Sequence, residues 1–342
     1  MGCVNSKGNT EKKSIRCIIL GLQGSGKSTF CKQLRLMFNK QYSNEERVLY
    51  TRALRVNLVH GLKELCSKYS IANKIKNINL LNCDIEEDMV EEIKDVWNKV
   101  SDKTSTEIEN IKYAIDNIDK LIDPDYLATD DDILRARQYT SGKDELIIET
   151  QNKTWVFMDA GGQPSERRKW ENFYHDLRAV IYVCAANEWD VSCQASYNPY
   201  LGVTVDPTVS PRTTKSVGDD VGSEEKLTDS QDTEYSDKTL FEESLELFEK
   251  LHSDSKIDQA PFIVFLNKVD LFHKNFNLKR FRKRFPKFKG STSDEALEYL
   301  KERFIVIGAD SSNTRANTVC MLDTEEVKEI TKGVISFLIE NS

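Results

Sequence analysis

The sequence predicts an α/β fold: a phosphate-binding domain with a mostly parallel sheet, interrupted by an inserted all-helical domain. Three observations predict it. A strand, a glycine loop and a helix stand near the N-terminus, a wholly helical stretch follows, and buried-strand runs resume beyond residue 130. In the first unit "IRCIIL" leads into "GLQGSGKS", after which Phe30, Leu34, Met37 and Phe38 recur at helical spacing. Residues 44–130 read as the helical domain. Leu54, Leu58, Leu62 and Leu65 share one face there, Met89, Ile93, Val96, Trp97 and Val100 a second, and Ile108, Ile111, Ile115 and Ile118 a third. The turn "DPDY", Asp123 to Tyr126, closes this block.

The strand runs come next. "ELIIET" and "KTWVFMDAGG" flank a polar "QNK" and read as a hairpin. "AVIYVCAA" and "PFIVFLNKVD" are continuous apolar runs of the kind a sheet buries on both faces, and "RFIVIG" reads as a later strand ending in Ala309. The sheet domain thus spans 15–43 and 131–342, behind an arm of residues 1–14. Within it, residues 191–238 are rich in Ser, Thr, Asp, Gly and Pro and read as a disordered surface insertion.

A formal charge of −8 without a basic tail argues against a general nucleic-acid binder. The 8 cysteines form no Cys-x-x-Cys pair and no His cluster accompanies them, so neither a zinc site nor a disulfide framework is expected, and a reducing compartment is. No apolar run approaches the roughly 18 residues of a spanning helix. "MGCVNSK" fits N-myristoylation at Gly2, with Ser6 in the pattern and Cys3 open to palmitoylation. Two acyl chains hold a protein at a bilayer where one is marginal.

"GLQGSGKS", Gly21 to Ser28, is the Gly-x-x-x-x-Gly-Lys-Ser pattern in its required strand-to-helix context. The backbone amides of Gly24, Ser25, Gly26, Lys27, Ser28 and Thr29 are placed to cradle phosphate oxygens at a helix N-terminus. Lys27 adds a point charge, and the Ser28 hydroxyl suits Mg²⁺. "NKVD", Asn267, Lys268 and Asp270 with Val269 between, places a carboxylate where it accepts two hydrogens from guanine, a donor pair that adenine lacks. The Ala309 amide is expected at the guanine carbonyl. In "FMDAGGQ", Asp159 would hold Mg²⁺ through water, the Gly162 amide would sense a γ-phosphate, and Gln163 would orient an attacking water.

With these pieces placed, the chain resembles the α subunits of heterotrimeric G proteins over nearly its whole length. "DILRARQYTSG" is similar to the family's first switch, "GGQPSERRKW" to its second, and "YAIDNIDKLIDPDYLATDDDILRAR" to the end of its helical domain and return linker. The resemblance implies a Ras-like GTPase domain carrying the helical insertion. It also implies that Leu134 and Arg135 flank the nucleotide and that Thr140 is a second protein ligand of Mg²⁺ beside Ser28. Arg137 then stabilises transition-state charge in cis, a role for which this family is the standard example. The implied catalytic set is Gln163, Arg137 and Lys27. The implied protein is a GTP/GDP switch using Mg²⁺ at the cytoplasmic face of the plasma membrane. It would hydrolyse GTP and pass signals from G protein-coupled receptors, with a βγ dimer as partner.

Departures keep a second reading open, a GTP-binding scaffold with little hydrolysis. Gln23 stands where the family usually has Gly, and Gly24 where it usually has a Glu that pairs with the switch arginine. Gln23 either obstructs the γ-phosphate side or swings into solvent. Pro164 replaces the usual Arg and biases Gln163 towards extended backbone. The short arm implies a reduced βγ contact, and "FLIENS" lacks the family's usual C-terminal receptor tail. The run "KNFNLKRFRKRFPKFKG" reads as a solvated helix face with its phenylalanines packed inward, the alternative being a surface for an acidic partner or anionic lipid.

Overall fold

The computed structural model describes residues 14–38, 40–72, 75, 85–101, 109–138, 140–193, 196–198, 203–205, 238–308 and 314–340. Strand β1 (Ile15–Leu20) leads through the glycine loop into α1 (Lys27–Met37). The helical block holds α2 (Asn44–Lys68), α3 (Val90–Ser101), α4 (Glu109–Asp116) and α5 (Ile118–Leu121), and α6 (Asp130–Arg135) starts the return. The sheet domain then continues with β2 (Lys143–Thr150), β3 (Lys153–Ala160), α7 (Pro164–Arg167) and β4 (Leu177–Ala185). After a small pair, β5 (Ser196–Asn198) and β6 (Val203–Val205), come α8 (Leu240–His252), β7 (Phe262–Asn267), α9 (Val269–Asn275) and α10 (Leu278–Arg284). The chain ends in α11 (Ser293–Ile307), β8 (Thr314–Val319) and α12 (Thr324–Glu340).

The large sheet has the order β2-β3-β1-β4-β7-β8. Every pairing in it is parallel except β2 with β3, a hairpin whose two turn residues, Gln151 (φ 50) and Asn152 (φ 58), both adopt the left-handed backbone that a twist-matched two-residue turn requires. Alternate residues of β1 face opposite cores. Ile18 and Leu20 pack with Phe241, Phe248 and Phe304 of α8 and α11, while Cys17 and Ile19 pack with Phe30 and Leu34 of α1 and Ile335 and Leu338 of α12. β1 thus runs between two helical layers, with β3 on one side and β4 on the other. Their carboxyl ends meet at the point where strand order diverges, the usual place for a ligand in an open α/β sheet.

The helical domain has its own core. Leu54, Leu58, Leu62 and Leu65 of α2 pack with Ile93, Val96 and Val100 of α3 and with Ile111, Ile115 and Ile118. Ile108 lies outside the described residues. The predicted aromatic packing of the basic run also holds: Phe281, Phe285 and Phe288 are buried against Tyr299, while Arg280 pairs with Asp190 at 2.5 Å and Arg284 with Glu242.

Two expectations change. "RFIVIG" is the last stretch of α11, not a strand. A capping box between Thr292 and Glu295 starts this helix, and its buried Ala296, Leu297, Leu300 and Phe304 keep helical spacing into the apolar run, leaving Val306 72% exposed. The last strand is instead β8, whose sequence "TRANTV" is polar because it lies at the sheet edge, paired to β7. Ala309 lies outside the described residues. Within the stretch expected to be a disordered insertion, β5 pairs antiparallel with β6. Its two ends are also tied together, by Cys193 N–H to the Lys238 carbonyl and Leu240 N–H to the Val191 carbonyl, both at 2.8 Å. Residues 206–237 are not described. Among the described residues no helix is long and apolar enough to cross a membrane.

A single buried carboxylate locks the helical domain to its return linker. Asp132 accepts from Thr129 N–H (2.8 Å), Thr129 Oγ1 (2.7 Å), Tyr126 OH (2.5 Å) and Tyr113 OH of α4 (2.9 Å). Burial pushes its pKa up, but the bonds from Tyr126, Thr129 and Tyr113 outweigh that and hold it below the usual carboxylate value. Its stabilisation is therefore present above the unfolded carboxylate pKa and lost as pH falls through the lower folded value. Replacing Asp132 with Ala strands two tyrosine hydroxyls and should destabilise the protein by about 3 kcal/mol at neutral pH. Denaturant unfolding of the two proteins should show that gap narrowing as the pH is taken below the ordinary carboxylate range.

Candidate functional site

The glycine loop closes tightly because Gly21 and Gly26 leave no room for a Cβ. Gly26 caps α1 with φ 111, and a Cβ there would lie on the Asn267 side-chain amide. That amide bridges the site: Asn267 Nδ2 donates to the Ser25 carbonyl at 2.7 Å, and Oδ1 accepts from Met321 N–H at 2.9 Å. The segment that Asn267 brings beside "NKVD" is residues 320–322, directly after β8. Asp270 lies next to the Cys320 thiol, which burial and that carboxylate push up to about 11. Lys268, in left-handed backbone (φ 63), sits 3.6 Å from buried Glu188.

Lys27 is 6% exposed, and its ammonium donates to the carbonyls of Gly21 (3.1 Å) and Leu22 (2.8 Å). Burial lowers its pKa to about 8. At the start of α1, three oxygens converge. Ser28 Oγ donates to Asp159 Oδ2 at 2.6 Å and lies 3.0 Å from Thr140 Oγ1, which also donates to Asp159 Oδ2 at 3.2 Å. Asp159 Oδ1 is buried without a hydrogen-bond partner, and burial raises the pKa of this carboxyl. Two hydroxyls and a carboxylate with a spare acceptor form a hard-oxygen set that fits Mg²⁺.

The segment after β3 presses onto the loop. A Cβ on Gly162 would meet Lys27 Nζ, the Gly21 carbonyl at 2.7 Å and the Gln23 backbone nitrogen at 2.8 Å. The Gly162 carbonyl accepts from Arg167 Nε (3.0 Å), and the same guanidinium pairs with Glu243 of α8 (2.8 Å). Glu166 accepts from Gly142 N–H at 2.8 Å, tying this segment to the one carrying Thr140. Gln163 has extended backbone (φ −64, ψ 150) with Pro164 at the first position of α7, as the proline demands. Gln23, Gly24 and Thr29 are half-buried on the loop and the first turn of α1, and Gly24 has φ 77.

Leu134 is buried, while Arg135 turns towards Asp131 (3.1 Å) and the Tyr113 ring (4.5 Å) of the helical domain. Arg137 follows, its main chain against Asn57 of α2. Gly2 and Cys3 are outside the described residues. Sequence reasoning passed over Asn57, Glu188, Glu166, Glu243 and Met321. Glu166 lies within "GGQPSERRKW" but was given no role, and the other four carry no local signature.

A family model described as G-protein alpha subunit matches residues 3–338. The chain is 26% identical over 359 residues to the guanine nucleotide-binding protein alpha-8 subunit of Caenorhabditis briggsae, covering 96% of this chain and 88% of that protein. It is 25% identical to a guanine nucleotide-binding protein subunit alpha of Coprinellus congregatus, over 96% of this chain and 89% of that one. It is 22% identical to the alpha-9 subunit of Dictyostelium discoideum, over 97% and 91%.

The Lys27 environment predicts a proton linkage. With a free-site pKa of about 8, this lysine is mostly neutral at pH 9, and a bound polyphosphate restores its charge. Binding should take up close to one proton at about pH 9 and almost none at pH 7, with affinity falling as pH rises above 8. Titration calorimetry in buffers of different ionisation enthalpy would read the uptake, and Lys27→Met should remove it.

Proposed function

This chain belongs to the G-protein alpha subunit family, and on that premise we propose that it is a membrane-anchored switch that binds GTP and GDP with Mg²⁺ and hydrolyses GTP. The observation that carries the reading is the convergence of Lys27, Ser28, Thr140 and Asp159 at one end of the glycine loop, with Gly162 packed directly against it. Ser28 and Thr140 would hold Mg²⁺ and Asp159 would hold it through water. The ion supplies charge neutralisation at the outer phosphates. Lys27 binds the same phosphates, the Gly162 amide faces the γ position, Gln163 orients the attacking water, and Arg137 stabilises the charge that develops. Asp270 accepts the guanine hydrogens, Asn267 and Lys268 shape the base pocket, and the Cys320–Leu322 segment borders it. A receptor and a βγ dimer are the proposed partners.

Single-turnover phosphate release from GTP-loaded protein tests the chemistry without interference from slow GDP release. The wild type should hydrolyse GTP measurably, Gln163→Leu and Arg137→Cys should each lower the rate by about a hundredfold, and Gln23→Gly should be nearly silent. A wild-type rate no greater than those of the two variants would leave the GTP-binding scaffold as the function, and equal competition by ATP would remove the guanine assignment.

Anchoring rests on Gly2, Cys3 and Ser6. In cells that acylate proteins, the wild type should sediment with membranes and Gly2→Ala should remain in the supernatant. Equal partitioning would end the lipid assignment.

A further inference from the structure

Arg137 is held at three points, and the helical domain supplies two of them. Asn57 of α2, 8% exposed, accepts from Arg137 N–H at 2.9 Å and donates to the Arg137 carbonyl at 3.3 Å, so one side-chain amide grips both polar groups of the residue. The peptide before it is held from the other domain. Lys32 of α1 donates to the Ala136 carbonyl at 2.6 Å and to the Ile133 carbonyl at 2.9 Å. The two ends of a single peptide plane, Ala136 to Arg137, are thus bonded to one domain each. Lys32 is half-buried at this joint, with Tyr50 of α2 beneath it at 5.1 Å, so its side chain packs along the boundary. The third point is the guanidinium. With its amide oriented to satisfy both ends, Asn110 of α4 accepts from Arg137 Nη2 at 2.9 Å and from Nε.

We propose that Asn57 and Asn110 are positioning residues for Arg137, with opposite effects: Asn57 fixes the main chain from which the arginine springs, and Asn110 holds its guanidinium back on the helical domain. The proposal rests on the hydrolysis reading above. To meet charge developing at the glycine loop, the guanidinium must leave Asn110, which costs a charge-assisted hydrogen bond. Reach and direction are set by the clamped peptide, so a loose main chain spreads the arginine over many unproductive positions. Both asparagines lie outside the loop, switch and base motifs.

The test is single-turnover GTP hydrolysis by the full chain carrying Asn57→Ala or Asn110→Ala, each alone and combined with Arg137→Ala. Asn57→Ala should slow the reaction about tenfold and Asn110→Ala should speed it about threefold to tenfold, as expected for hydrogen bonds to a charged or clamped group. Both effects should vanish in the Arg137→Ala background, and neither asparagine substitution should change nucleotide affinity on its own. A purely structural role would leave the effects intact without Arg137, and that outcome, or a slower Asn110→Ala, overturns the proposal. Trypsin cleavage after Arg137, mapped by mass spectrometry on the nucleotide-bound protein, gives a second readout that needs no hydrolysis. Cleavage there should accelerate in both variants. If the wild type fails to hydrolyse GTP, the enzymatic reading falls, and unchanged cleavage in the variants would separately sink the clamp. Should Asn57→Ala not fold, Asn110→Ala decides by the same two measurements.

Discussion

The site depends on one buried side chain. Asn267 spans the gap between the glycine loop and the segment after β8, giving one hydrogen bond to the Ser25 carbonyl and taking one from the Met321 amide. In the interior such an amide must satisfy both its ends, so its position dictates where both segments lie. Gly26 completes the arrangement, because any Cβ there would occupy the space of that amide. The glycine loop and the segment after β8 are consequently tied into one unit, built on the carboxyl ends of β1 and β7.

Around that unit the protein gathers groups that are costly to bury. Lys27, Asp159, Glu188 and Lys268 all lie at or just beyond the carboxyl ends of β1, β3, β4 and β7, and burial pushes Lys27 down and Asp159 and Glu188 up from their usual pKa values. A carboxyl with an unpartnered oxygen beside a depressed lysine is a pattern expected where charged ligands complete the electrostatics. Lys27 donates to the loop's own Gly21 and Leu22 carbonyls, and the Asp159 carboxylate opposes part of the pKa depression that burial causes. Gly162 approaches so closely that a Cβ on it would meet Lys27 Nζ and the Gly21 carbonyl.

Hydrogen bonds to main chain and a small apolar cluster join the two domains. Lys32 and Asn57 hold the return linker, and Tyr42, Ala128 and Ile133 pack with Leu36 and Tyr50. Such contacts are directional, so they define an angle between the domains without requiring a large shared core. Asp132 then locks the linker to α4, which makes the arm carrying Arg137 an extension of the helical domain. Arg137 and the glycine loop therefore sit on different bodies, joined through the clamped linker peptide.

The glycine loop, the "NKVD" segment and the "DAGGQ" turn were readable from sequence because each works through local backbone geometry, and local geometry is written in consecutive residues. The helical block and the β2–β3 hairpin were readable for a similar reason: hydrophobic period and turn residues are short-range signals. β8 was not, since a polar edge strand shows no buried run and the apolar "RFIVIG" beside it suits strand and helix equally; the capping box at Thr292 and packing against α8 decided for helix. Nor could Asn57, Glu188 or Met321 be found, because a side chain's partner across the fold leaves no trace in its neighbours along the chain. Sequence by itself determined the family, the motif residues and the type of each locally patterned element. Tertiary structure alone decided which segment Asn267 ties to the glycine loop and which domain holds Arg137, because both are settled by hydrogen bonds between residues about 50 to 80 positions apart.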